Sequence, residues 1–259
     1  MSDTLERGRC GLPKFFVAPQ DIGSASVTLT GENAAHAKVL RLSRGDTVTV
    51  CDGCGTDYRC TVEDISSGQV NLCIDEKAPS DSEPSVFCTI YMALAKADKL
   101  EHVIQKATEL GAGQIVAFPS SRCVAKIEKG ALDKKLDRWQ KIAASAAAQS
   151  GRGRIPRVLA VGSFEDAILQ AAKADLPLFP YENEQTCSLR AAVEAAPFRT
   201  VSIVTGPEGG FSPEEAEYAR QHQLKLCSLG PRILRCETAP LCALSAVLYA
   251  AGDLDCKAQ

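Results

Sequence analysis

Hydrophobic and polar positions follow two different rhythms along the chain. Up to about residue 76, residues 14–18, 26–30, 47–52, 58–65 and 69–74 form short β-branched or alternating runs bounded by Gly, Asp, Asn and Ser. This pattern predicts half-buried strands. A single helical stretch over residues 32–42 interrupts them. Asp-Gly and Cys-Gly in CDGCG, residues 51–55, predict a hairpin turn. Several short strands so close together predict a small barrel over residues 1–76. Residues 77–84, KAPSDSEP, carry two prolines and no apolar period and are expected to be a linker.

From residue 85 to 259 the rhythm becomes strand and helix in alternation. Residues 86–95 are nearly continuous apolar, as a strand buried on both faces would be. Leu100, Val103, Ile104, Ala107 and Leu110 then recur at helical spacing, with Gly111 as the stop. Strands are predicted at 114–118, 157–161, 176–179, 200–205 and 225–229, and helices at 132–149, 164–174, 189–196, 213–222 and 238–251. Such alternation implies an α/β fold with a mostly parallel sheet and helices on both faces.

Composition narrows the class. The chain has 259 residues, 45% hydrophobic and 24% charged, which excludes a disordered or fibrous chain. The longest uncharged apolar stretch, residues 238–252, falls short of the ~17 to 25 residues of a membrane span. The N-terminus carries Asp3, Glu6, Arg7 and Arg9 where a secretory signal needs an apolar run, so a cytoplasmic protein with no membrane partner is expected. Twelve cysteines are scattered through apolar runs and read as small buried hydrophobes kept reduced. Cys51 and Cys54 lack a second ligand pair, and His36, His102 and His222 each stand alone, so no metal is expected.

The net charge of −3 hides a segregation. Residues 1–76 carry −4, residues 77–157 carry +6 and residues 158–259 carry −5. Lys126, Lys129, Lys134, Lys135, Arg138, Lys141, Arg152, Arg154 and Arg157 fall in one window with three acids. A solvated helix face accounts for such a patch as well as a nucleic-acid footprint does.

Ligands of open α/β sheets bind beyond the carboxyl ends of the strands, which directs attention to the loops after Phe179, Thr205 and Leu229. TGPEGGF, residues 205–211, precedes a helix with Ser212 as its cap, Pro213 at its first position and Glu215 three residues after the cap. Gly206, Gly209 and Gly210 permit close approach of backbone to a ligand, although glycines alone fit a tight turn equally well. LGPRILRCETAP, residues 229–240, gathers Arg232, Arg235 and Glu237 beside an apolar helix, where they pair with one another or with a ligand.

Taken in order, HAKVLRLSRGD (36–46), KADKLEHVIQKATELGA (96–112), RWQKIAASAAAQSGRGRIPRV (138–158), TGPEGGFSPEE (205–215) and LGPRILRCETAP (229–240) closely resemble the ribosomal RNA small-subunit methyltransferase E family. The likeness covers nearly the whole chain. It implies a SPOUT-type domain with a trefoil-knotted, mostly parallel sheet, preceded by a PUA-like β-barrel that binds RNA, and a homodimer. It also implies methyl transfer from S-adenosylmethionine to N3 of a specific uridine in 16S ribosomal RNA or the small subunit. Lys14 stands where the family commonly has arginine, and Ala148 where glutamate is usual.

By position, the resemblance assigns the cofactor to Tyr181, Thr205, Gly206, Pro207, Glu208, Gly209, Gly210, Ser228, Leu229, Gly230, Ile233, Leu234, Arg235, Glu237, Thr238 and Ala239. N3 must lose a proton, so a base or a cation opposite the developing anion is expected. Arg152 and Arg235 are the candidate cations, and Glu208 or Glu237 the candidate proton acceptors. Lys14, Arg41, Arg44, Lys134, Lys135, Arg138, Arg152 and Arg154 are the candidates for phosphate contact. The competing readings are a non-catalytic RNA-binding or ribosome-assembly factor on the same fold, and a SPOUT methyltransferase with another RNA target.

Overall fold

The structure is a computed structural model that describes residues 12–66, 68–96, 98–125 and 130–255. Lys126 and Lys129 of the basic window lie outside the described residues. The chain forms two compact units, one running to Glu83 and including Gly151–Arg154, the other comprising Pro84–Ser150 and the chain from Ile155 onward.

The first unit is a five-stranded sheet in the order β1-β3-β4-β5-β2. Its strands are β1 (Lys14–Phe16), β2 (Ser26–Leu29), β3 (Thr47–Cys51), β4 (Thr56–Ser66) and β5 (Gln69–Pro79), with helix α1 (Gly31–Val39) after β2. β1 pairs parallel to β3, and the other neighbours are antiparallel. Alternation places Val27 and Leu29, Val48 and Val50, and Val70 and Leu72 inward, where they share one core with Phe15, Cys60, Val62 and Ala37. The ladder itself ends at β1 and β2, and the barrel-like character comes from this common core. The predicted CDGCG turn joins β3 to β4, and Asp52 Oδ1 accepts from the N–H groups of Cys54 and Thr56 at 2.8 and 3.0 Å.

The linker expectation needs correction at its start. Lys77, Ala78 and Pro79 are the end of β5, paired with Tyr58, Asp57 and Thr56. Residues 75–79 carry no apolar alternation because both faces of this long hairpin end are largely solvated.

The second unit is a six-stranded, all-parallel sheet in the order β11-β9-β10-β6-β7-β8. It is built from β6 (Phe87–Ala93), α2 (Lys99–Leu110), β7 (Gln114–Phe118), α3 (Leu132–Gln149), β8 (Arg157–Ala160), α4 (Phe164–Ala171), β9 (Leu176–Pro180), α5 (Leu189–Glu194), β10 (Thr200–Thr205), α6 (Pro213–Gln221), β11 (Lys225–Cys227) and α7 (Ala239–Ala250). The strands inside the edge strand β8 feed both sides of the sheet. Cys88, Ile90 and Met92 of β6 pack with α2, α3, α5 and α7, whereas Tyr91 and Ala93 pack with α4 and α6. That two-sided burial is why the strands read as apolar runs rather than alternations. Gly111 ends α2 at φ +118°, and a Cβ there would stand 2.6 Å from Pro84 Cγ.

The strand order reverses between β6 and β10. From β6 the chain moves outward through β7 and β8, then crosses back to lay β9, β10 and β11 on the other side. The loops leaving β9, β10 and β11, together with the start of α2, therefore gather at one end of the sheet.

Candidate cofactor site

At that end lies a cavity of about 990 Å³, walled by the segments that follow β9, β10 and β11 and by Lys99. Fourteen of the sequence-predicted cofactor positions line it: Tyr181, Thr205, Gly206, Pro207, Glu208, Gly209, Gly210, Ser228, Leu229, Gly230, Ile233, Leu234, Arg235 and Ala239. Glu237 and Thr238 do not.

The glycine loop after β10 is held in shape by its own close packing. A Cβ on Gly206 would stand 3.2 Å from the Gly210 carbonyl carbon, and one on Gly210, whose φ is +66°, would stand 2.5 Å from Glu182 Oε1. The positive φ of Gly210 and the tight fit at Gly206 both disfavour a Cβ where the loop lines the cavity. The loop then enters α6 through the predicted capping box. Ser212 Oγ accepts from the Glu215 N–H, and Glu215 Oε2 accepts from the Ser212 N–H at 2.9 Å. Glu215 is buried, and its Oε1 accepts from the Ser121 N–H at 2.8 Å. Arg122 adds a second tie from the same loop by donating to the Gly209 carbonyl at 3.1 Å.

The loop between β11 and α7 is more open. Gly230 sits at φ +105°, Ile233 is 89% exposed, and Arg232 and Arg235 reach the cavity from the exposed side. The parallel bridge between Ser188 and Ser228 fixes its start against the segment after β9.

Charged groups concentrate at one wall. Lys99 Nζ lies 3.2 Å from Glu208 Oε1 and 3.6 Å from Glu237 Oε2. Burial works to raise the carboxyl of Glu208, but the Lys96 and Glu208 N–H groups and the Lys99 ammonium outweigh it and hold it below its ordinary value. Glu237 is likewise held down against burial by its own N–H, the Cys236 thiol and Lys99. Both carboxylates are therefore ionised and tied to Lys99 in this arrangement. Cys236 Sγ donates to Glu237 Oε2 at 3.2 Å, and burial first, then that carboxylate, push the thiol up to about 11.

Lys99 and Cys236 escaped the sequence reading. A lysine as the first residue of a helix is unfavourable to the helix dipole unless an anion meets it, and that mismatch was the available signal.

Arg152 is the main correction. It does not line the cavity and belongs to the first unit, where it is 3% exposed. Its Nε and one terminal nitrogen donate to Glu83 Oε1 and Oε2 at 3.0 and 2.6 Å. Lys14 is also turned inward, donating to Asp57 Oδ2 at 2.8 Å and to the Gly151 carbonyl at 3.2 Å. Neither side chain is presented for phosphate contact. Arg41, Arg44, Lys134, Lys135, Arg138 and Arg154 are exposed, with Arg138 paired to Glu101 at 2.7 Å. Among the described residues no cluster of three His, Cys, Asp or Glu side chains could hold a metal, and no helix is long and apolar enough to cross a membrane.

Comparison with known proteins assigns both units. Residues 82–248 match the RNA methyltransferase domain and residues 29–74 the RNA methyltransferase PUA domain. The chain is 37% identical to ribosomal RNA small subunit methyltransferase E of Bacillus subtilis, over 92% of this chain and 96% of that one. It is 32% identical to the protein of the same name from Mycobacterium tuberculosis, over 90% of each. Among solved structures it is similar to the Neisseria gonorrhoeae ribosomal RNA small subunit methyltransferase E bound to S-adenosyl methionine, with TM-score 0.78 and 29% identity over 92% of this chain and 98% of that one. A Legionella pneumophila protein solved with the bound cofactor SAM superposes at TM-score 0.79 and 30% identity, over 93% and 98% of the two chains.

Proposed function

The chain belongs to the ribosomal RNA small subunit methyltransferase E family, and from that premise we propose that it methylates N3 of a specific uridine in 16S ribosomal RNA, with S-adenosylmethionine as methyl donor. The observation that carries this reading is the cavity beyond β9, β10 and β11, walled by the two loops whose residues bear the family likeness. Its volume of about 990 Å³ lies at the upper end of the ~300 to 1,000 Å³ usual for ligand sites, which accommodates a cofactor together with an extruded base.

The residues present fit such a cofactor. Peptide groups of Gly206, Gly209 and Leu229 lie in the cavity lining and are the proposed partners of adenine and ribose edges, and Leu229, Ile233 and Leu234 offer apolar surface to the flat base. When bound, the cofactor supplies an already activated methyl group, so no metal is needed.

Arg235, which lines the cavity, is the proposed cation that stabilises negative charge growing on the uridine carbonyls as N3 loses its proton. Glu208, which lines the cavity, is the proposed proton acceptor, with Glu237 beside it and Lys99 holding both carboxylates. Lys134, Lys135 and Arg138 on α3, with Arg41, Arg44 and Arg154, are the proposed phosphate contacts. The resemblance further implies that the active species is a homodimer.

Incubation with radiolabelled S-adenosylmethionine and small subunits lacking the modification tests the reading. Label recovered as N3-methyluridine is the expected result, with Arg235→Ala losing turnover by a larger factor than donor affinity. Label in another nucleoside would change the target, and no label with no donor binding would leave a non-catalytic RNA-binding factor.

A further inference from the structure

Three segments distant in sequence meet at one wall of the cavity through charged side chains. Lys99 opens α2, Glu208 lies in the loop after β10, and Glu237 precedes α7, with the ammonium between the two carboxylates at 3.2 and 3.6 Å. Glu208 Oε1 also accepts from the Lys96 N–H at 3.0 Å, so the carboxylate is fixed from two directions. Lys99 and Glu208 line the cavity directly. All three side chains are between 21% and 29% exposed, close enough to solvent to remain ionised and buried enough to act on a bound charge.

Within the ion-paired cluster one ammonium faces two carboxylates, a negative excess of one, and the Arg235 guanidinium acts on Glu237 from the neighbouring loop. Methyl transfer changes the cofactor's charge at one atom. The S–C bond breaks, its electron pair stays on sulfur, the N–C bond forms with the pair left on nitrogen, and the N–H proton passes through Glu208 to solvent. A sulfonium cation thereby becomes a neutral thioether.

We propose that Lys99, Glu208 and Glu237 form a charge-sensing cluster that favours the cationic methyl donor over its neutral demethylated product. This rests on the cavity being the S-adenosylmethionine site. Glu208 and Glu237 supply the net negative field, while Lys99 joins their loops and keeps the two anions from repelling one another. The attraction to this field is lost when the sulfur loses its charge, which promotes exchange of product for fresh donor.

The test is the ratio of dissociation constants for S-adenosylhomocysteine and S-adenosylmethionine, measured by calorimetry on the full-length protein. Glu237→Gln is expected to reduce the preference for the donor by about fivefold, and Lys99→Met, which removes the ammonium between the two carboxylates, to increase it by a similar factor. Raising the salt concentration should draw the ratios of all variants together. A cluster that only orders the loops would weaken both ligands by one common factor and leave the ratio unchanged, and that result overturns the proposal. Glu237→Gln is nearly isosteric, so its ratio decides the matter even if Lys99→Met is poorly folded. Failure of the wild-type protein to bind either ligand would instead reject the cavity as the cofactor site.

Discussion

A guanidinium that is 3% exposed needs an anion held as tightly as itself, and Glu83 meets that need with both carboxylate oxygens. Glu83 Oε1 additionally accepts from the Gly153 and Arg154 N–H groups at 2.9 and 3.1 Å, so the carboxylate organises the backbone of residues 151–154 as well as the side chain. Arg152→Ala would strand this carboxylate and is expected to cost about 3 kcal/mol or more, read as a lowered denaturation midpoint with turnover per folded molecule preserved. Burial alone would raise the Glu83 carboxyl, but Arg152 and the two N–H groups hold it below its ordinary 4.5. With the folded value depressed, the stabilisation is complete above 4.5 and is lost as pH falls through the folded value. A stability profile measured between pH 6 and 3 is therefore expected to fall in the wild type and to fall less steeply in Glu83→Gln, the remaining slope coming from other depressed carboxyls such as Glu208 and Glu237.

At the scale of elements, the loop after β10 separates two roles that adjacent residues play. Ser212→Ala removes the cap that closes α6 and is expected to cost about 1 kcal/mol of stability. Gly206→Ala instead inserts a methyl 3.2 to 3.3 Å from the Gly210 backbone and Phe211, displacing the loop where it lines the cavity. Its expected effect is a raised KM for the methyl donor with a small change in melting temperature. The helices and strands of the second unit were legible because its parallel strands inside β8 are buried on both faces and its helices on one, so periodicity alone separates them. The end of β5 was not, since Glu76–Pro79 are exposed and leave no apolar signature of their pairing with β4. The loops of the cavity drew attention through their glycines, charges and place after the strands, but only the family resemblance assigned them to a cofactor. Lys99 becomes part of the site only when α2 is laid beside two other loops, and Arg152 left it because its anion, Glu83, lies 69 residues away in sequence.

For the molecule as a whole, a net charge of −3 is a poor guide to its affinity for a polyanion. What matters is which cations remain free at the surface once internal pairing is satisfied. Lys14 and Arg152 are consumed inside the first unit, whereas Lys134, Arg138 and Lys141 recur at helical spacing along α3 and border a shallow groove with Asp137, Ile142 and Ser145, three cations against one acid. If α3 tracks the RNA backbone, affinity for a small-subunit RNA fragment falls with salt on a log–log plot with a slope of ~0.7 to 0.9 per phosphate contacted. Lys134→Gln and Lys141→Gln are then each expected to reduce that slope by one such increment across RNA sequences. Arg138→Gln should reduce it less, because Glu101 already offsets its charge. Lys14→Gln should leave the slope intact and lower stability, because its ammonium serves Asp57 and the Gly151 carbonyl. Unchanged slopes in both α3 lysine variants would show that this helix face is only solvated, and would leave RNA affinity to be carried by Arg41, Arg44 and Arg154.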